Sequence, residues 1–214
     1  MQLFVFNKRY FNVISYGYME RDTTELHSFL LSNSQLGNEK VSEIVKLFQQ
    51  LSVPKNTIYL NEGQVSNAYA FLTKGYMRAF TYDTEGNEVT TAFYQNNQLV
   101  FEVNSFFTRT PSKECIQAIT DCTVFYIDFN QLNQLFHSIP EFREFGRSVL
   151  VKCFVDLKQR TLAMINETAE QRYISLLANN PNIFQFASLK HIASFLGITD
   201  TSLSRIRKDL ANKC

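Results

Sequence analysis

The 214-residue chain is 45% hydrophobic and 19% charged, the composition of a globular protein with material for real cores, and its length admits one large or two modest domains. A formal net charge of +1 excludes a generally basic nucleic-acid coat protein, so any contact with nucleic acid has to be local. Cys115, Cys122, Cys153 and Cys214 show no C-x-x-C and no paired His spacing, which argues against zinc and iron–sulfur sites and for free thiols in a reducing cytoplasm.

The first residues, MQLFVFNKRYFNVISYGYM, are apolar in patches, but Asn7, Lys8 and Arg9 interrupt them early. A signal peptide carries its charges ahead of its apolar region, and no run reaches the roughly 18–20 apolar residues of a membrane helix, so no membrane is expected as a partner. Met19 is an alternative start. Thr23 or Thr24 opens a helical pattern through Leu26, Phe29 and Leu30. A second begins at Ser42, with Ile44, Val45, Leu47, Phe48 and Leu51 on one side, and Pro54 ends it.

Short alternating runs follow at roughly ten-residue spacing, which predicts an antiparallel sandwich or barrel. They are Thr57 to Leu60, Tyr69 to Leu72, Tyr76 to Tyr82, Val89 to Tyr94 and Cys122 to Ile127, and Gly63, Gly75 and Gly86 sit in the turns. Cys115 and Cys122, read as strand cysteines, are expected as buried packing residues. Asp128 is placed to cap a short helix over Phe129 to Phe136. Pro140, suited to a first helical position, starts an apolar pattern running about twenty-five residues to Ile165 over more than one face. Such a helix is either buried or packed on a second copy of itself, and Gly146 within it predicts a close helix approach. Thr168 starts another helix, ending at Asn179-Asn180-Pro181.

The last stretch, SLKHIASFLGITDTSLSRIRKDL, holds the strongest functional signal. Leu189, Ile192, Ala193 and Leu196 make one apolar helical face, Gly197 supplies a tight turn, and Thr199 can cap a second helix carrying Leu203, Ile206 and Leu210 behind it. Two short helices about a glycine turn form a helix-turn-helix. The other face of the second helix carries Asp200, Thr201, Ser204, Arg205 and Lys208, side chains that reach base edges and phosphates in a major groove. From Ser188 to Cys214, Lys190, Arg205, Arg207, Lys208 and Lys213 oppose only Asp200 and Asp209, a local +3 in a chain of +1. His191 is expected on the exposed side of the first of these helices. An ordinary helical hairpin would show the same apolar pattern; the charge and the polar face favour DNA.

This order of parts resembles the Crp/Fnr family of bacterial transcription regulators, in flavour those of Bacteroidetes. The resemblance rests on IASFLGITDTSLSRIRKDL for the helix-turn-helix, on LNEGQVSNAYAFLTKGYMRAFTYDTEGNEVTTAFY for a β-roll, and on QAITDCTVFYID for its last strands. It implies an α+β fold: an N-terminal antiparallel, jelly-roll-like β-roll sensor domain with flanking helices (residues 1–138), a long dimerisation helix (139–166) and a C-terminal winged helix-turn-helix (167–214). It also implies a cytoplasmic homodimer on a pseudo-palindromic operator of double-stranded DNA, acting on RNA polymerase. A two-fold dimer independently suits half-sites about one DNA turn, roughly 34 Å, apart. By position, Asp200, Thr201 and Arg205 would read bases, Arg205 by a bidentate contact to guanine, while Ser202 and Lys208 would hold phosphates and Ser204 shares their face. Asp200 departs from the arginine often found there in the cyclic-AMP receptor, and would either accept from cytosine or only cap the helix.

The sensor region departs from the family pattern. Members that bind cyclic nucleotides carry a Gly-Glu pair and then Arg-Ser-Ala; here the glycine position is Phe101 and the triplet positions are Ser112, Lys113 and Glu114. Glu102 is left to meet a ribose hydroxyl, and only Arg109 or Lys113 is near to neutralise a phosphate. Glu102, Arg109, Ser112 and Lys113 are therefore the candidate ligand residues, cAMP is not the expected effector, and the effector is unknown. No cofactor is implied. With no nucleophile–base motif, metal-ligand spacing or phosphate-cradling glycine loop, an enzyme is not expected. The alternative is a ligand-sensing or protein-interaction module whose helix-turn-helix does not bind DNA.

Overall fold

Strand faces explain the architecture. In a strand, successive side chains point to opposite sides, and in the central strand Ala68–Lys74 the residues Tyr69 and Phe71 enter one core while Ala70 and Leu72 enter another. The computed structural model describes residues 21–212; the start at Met19, the apolar patches before it, Lys213 and Cys214 lie outside the described residues. In chain order the elements are α1 (Thr24–Asn33), α2 (Asn38–Leu47), β1 (Gln49–Val53), β2 (Ile58–Leu60), β3 (Ala68–Lys74), β4 (Met77–Tyr82), β5 (Glu88–Tyr94) and β6 (Gln98–Val100). There follow α3 (Val103–Thr108), β7 (Cys115–Ala118), β8 (Cys122–Asp128), α4 (Phe129–Ser138), α5 (Pro140–Asn166), α6 (Ala169–Asn179), α7 (Ile183–Phe186), α8 (Leu189–Leu196) and α9 (Asp200–Ala211).

Two four-stranded antiparallel sheets, ordered β1-β8-β3-β6 and β2-β7-β4-β5, make the jelly-roll. Leu72, Met77, Val100, Ile116 and Val124 fill the space between the sheets. The outer face of the first sheet, with Phe71, Phe125 and Ile127, is covered by Leu26, Leu30 and Ile44 of α1 and α2, by Phe106 and Leu132, and by Phe142 and Phe145 of α5. Each of these fully buried side chains contributes about 1.5–3 kcal/mol by leaving water. Cys115 and Cys122 are buried free thiols within the roll.

The expected strands appear within a residue or two of their predicted ends. Leu51, however, does not continue the second helix. That helix starts at Asn38 and stops at Leu47, and Gln49–Val53 is a strand paired with β8, Leu51 opposite Val124. The apolar spacing there fits either period, and a partner strand far along the chain decides it. Helix α4 is capped by Asp128, whose carboxylate accepts from the Gln131 amide while Gln131 reaches back to complete a capping box. Helix α5 is 27 residues long, and a Cβ on Gly146 would lie 2.5 Å from the Phe136 ring of α4, the close approach the glycine predicts.

The helix-turn-helix forms as expected, but no strand accompanies it among the described residues. The wing is absent from them: residues 180–188, between α6 and α8, hold α7, whose Ile183 is fully buried in the third core. That core joins α6–α9 and also takes in Tyr76, Phe93 and Ile119 from the roll.

Candidate nucleic-acid interface

Local signals build the helix-turn-helix. Ser188 caps α8 by accepting from the His191 amide at 3.2 Å, and Ile192, Ala193 and Leu196 are its buried face. Gly197 then turns the chain at φ 68°, in the left-handed region that glycine takes without Cβ strain. The Gly197 and Ile198 amides return to the Ser194 and Ala193 carbonyls, satisfying groups the helix end leaves open. Thr199 caps α9 by accepting from the Ser202 amide at 3.2 Å. Leu203 is fully buried beneath α9, with Ile206 and Leu210 packed beside it.

Asp200, Thr201, Ser202, Ser204, Arg205 and Lys208 are all exposed on α9. At 100° per residue, Thr201, Ser204, Arg205 and Lys208 centre on the face opposite Leu203. Ser202 lies at its margin, its hydroxyl 3.0 Å from that of Thr199, so it serves the cap as well as the surface. Asp200 occupies the first helical position beside the positive end of the helix dipole. Arg207, absent from the sequence-derived set, lays its guanidinium 4.5 Å over the Phe184 ring and flanks Lys208 along a groove of about 550 Å³ between α6 and α9.

His191 differs from expectation. It is half-buried rather than exposed, because α8 packs its outer side against the roll near Arg78 and Glu88. Burial first, and Arg78 second, hold the imidazole below the ordinary histidine value.

The roll's candidates are engaged with their own chain. Glu102 caps α3, accepting from the Asn104 and Ser105 amides at 3.0 and 2.6 Å. Arg109, at φ 60°, donates to the Ser66 and Phe106 carbonyls and to Asn67 Oδ1, with its guanidinium 4.0 Å over the Phe129 ring. Ser112 is buried, its hydroxyl donating to the Glu114 carbonyl and accepting from the Glu114 amide. Lys113 is exposed. Glu102, Arg109 and Ser112 thus each spend side-chain hydrogen bonds on their own chain, and Lys113 alone of the four is exposed with no such bond among the described residues. Burial pushes the Glu114 carboxyl above the usual carboxylate range, and the Glu102 charge adds to the shift.

Residues 50–138 match the family model of the cyclic nucleotide-binding domain. No curated protein matches the sequence. Among solved structures, the chain is similar to FixK2 from Bradyrhizobium japonicum, at 15% identity and a TM-score of 0.68 over 78% of this chain and 85% of that one. It is similar to CLP of Xanthomonas campestris, a c-di-GMP responsive global regulator, at 15% identity and a TM-score of 0.66, covering 83% and 93%. It is also similar to the Thermus thermophilus catabolite activator protein, at 19% identity and a TM-score of 0.53, covering 84% and 85%. The roll is thus a cyclic nucleotide-binding-type jelly-roll, and the whole has the fold of Crp/Fnr-type transcription regulators. Among the described residues, no helix is long and apolar enough to cross a membrane.

Proposed function

We propose that the chain is a sequence-specific, DNA-binding transcription regulator that acts as a homodimer on a pseudo-palindromic operator and thereby positions or blocks RNA polymerase. One observation carries the reading. Helix α9 rests on a fully buried Leu203 and presents Thr201, Ser204, Arg205 and Lys208 together, exposed, on its opposite face. Arg205 offers the planar fork that matches guanine, Lys208 a point charge for phosphate, and the two hydroxyls short polar contacts.

The dimer reading draws on α5. Its first turns are buried through Phe142 and Phe145, but further along Phe154, Leu157 and Ile165 are 69%, 63% and 77% exposed. An exposed apolar face this long suits a second copy of the same helix, which would place two α9 helices about one two-fold axis. In this reading residues 1–138 form the sensor unit, 139–166 the dimer helix and 167–214 the DNA-reading unit. The roll, in this reading, does not take cAMP: Glu102 and Arg109 are engaged with their own chain, and the half-buried Glu114 adds a negative charge beside where the resemblance places the phosphate.

Selection of a randomised duplex pool by the purified protein tests the proposal. A two-fold-symmetric motif is the expected result. A folded dimer that enriches nothing, with or without metabolite extract, would favour a protein-interaction role for the helix-turn-helix.

A further inference from the structure

The roll and the helix-turn-helix are joined by a built contact. Strand β5 is the last strand of its sheet, and its pairing with β4 slips between Thr90, opposite Phe80, and Ala92, opposite Ala79. Thr91 is therefore the extra residue of a bulge, a device that re-aims backbone groups at a sheet edge. Those groups go to the C-terminal helices. The Thr90 amide donates to Ser194 Oγ of α8 at 3.2 Å, and Ser194 Oγ lies 3.1 Å from Thr90 Oγ1. The Thr90 and Thr91 carbonyls accept from the Arg160 guanidinium of α5.

Arg160 reaches a third element. Its Nη2 donates to the Phe195 carbonyl at 3.3 Å, and its guanidinium lies 4.3 Å over the Phe195 ring. The next carbonyl, Leu196, accepts from Arg172 of α6 at 3.0 and 3.1 Å. The two arginines thus occupy the open carbonyl end of α8, where a cation is favoured, one step before the turn into α9. Met164 of α5 closes over that turn, since a Cβ on Gly197 would lie 2.5 Å from its methyl group. The covalent link between α5 and α6 is by contrast only Glu167 and Thr168, both in extended conformation.

We propose that Arg160 is a positioning residue that sets the separation of the two recognition helices, and with it the number of base pairs the protein requires between half-sites. This rests on the dimeric DNA-binding reading. Without the Arg160 tie, the Thr90–Ser194 bonds and the packing on Tyr76, Phe93 and Ile119 still hold α6–α9 to the roll. The unit is then freer to shift about the two-residue link, while α9 keeps its own packing on α8 and its own face. Spacing and base preference are then separable, which a general loss of stability would not produce.

The test uses the full-length protein and a library in which the selected half-site bases are kept and the spacer length varies. The wild-type chain is expected to prefer one spacer and to lose roughly tenfold or more in affinity for each base pair added or removed. Arg160→Ala is expected to flatten that penalty to within about threefold while keeping the half-site bases, and Ser194→Ala to do so in part. An Arg160→Ala chain as strict about spacing as the wild type overturns the proposal, as does one that loses base preference in proportion. Where Arg160→Ala fails to fold or to dimerise, Ser194→Ala decides on the same criteria. A wild-type chain with no motif refutes the DNA reading and the spacing role together; a wild-type motif with unaltered variants refutes the spacing role alone.

Discussion

The β-roll and α9 treat their polar side chains in opposite ways. In the roll, Glu102, Arg109 and Ser112 are spent on caps, carbonyls and turns, and the central strand β3 is buried on both faces. On α9, Thr201, Ser204, Arg205 and Lys208 are held out by a buried Leu203 and lie exposed together. A group already satisfied gains little by turning to a ligand, because it must first give up its own hydrogen bonds. A free group on a rigid helix can exchange water for a base or a phosphate. The difference teaches that the match of residues 50–138 to the cyclic nucleotide-binding domain speaks for the roll's shape, while α9 is where Ser204, Arg205 and Lys208 stand exposed together with no side-chain partner among the described residues.

The largest expected effect breaks the closed half. Phe71 is fully buried between β3 and the covering helices, and Phe71→Ala should cost about 3–5 kcal/mol in chemical denaturation. Leu157 tests whether the exposed apolar face of α5 is covered by a second copy. Leu157→Glu would place two like charges across the joint and should weaken dimerisation roughly a hundredfold, about 2.8 kcal/mol, in sedimentation equilibrium. A smaller change sharpens the open half. Lys208→Ala should lower affinity on all sequences alike and reduce the salt slope by about one per protomer in binding titrations. The smallest concerns Glu114. Its carboxyl is held above its ordinary pKa of 4.5, so the folded state is penalised once pH rises through that value. Glu114→Gln should therefore raise the melting temperature at neutral pH, with the gain vanishing below about pH 4.

How much of this was legible follows from how local each signal is. The caps Asp128, Thr168 and Thr199 and the turn at Gly197 act within four residues, and all stand where the sequence places them. The α9 face was readable for the same reason, since Leu203, Ile206 and Leu210 by their spacing define its opposite side. Strand β1 was not, because its residues suit a helix until β8 pairs with them. Strands β6 and β7, of three and four residues, and helix α3, of six, were not read from the sequence, and segments so short carry little period of their own. The sequence placed His191 on the surface because nothing near it in the chain reveals that α8 packs on β5. Arg160 was silent for a similar reason: its partners are carbonyls of Thr90, Thr91 and Phe195, groups every residue carries. The four ligand candidates came from alignment with a pattern, and for Glu102, Arg109 and Ser112 hydrogen bonds made inside the roll decided where the side chains point.

The central claim is that the exposed face of α9 reads bases, and base-resolved affinities of the wild type and Arg205→Ala on the selected motif test it most directly. The account predicts a loss of about 1–3 kcal/mol in discrimination at one base position of each half-site, with the preferences at the others kept. An equal loss on every sequence, or none, would contradict it.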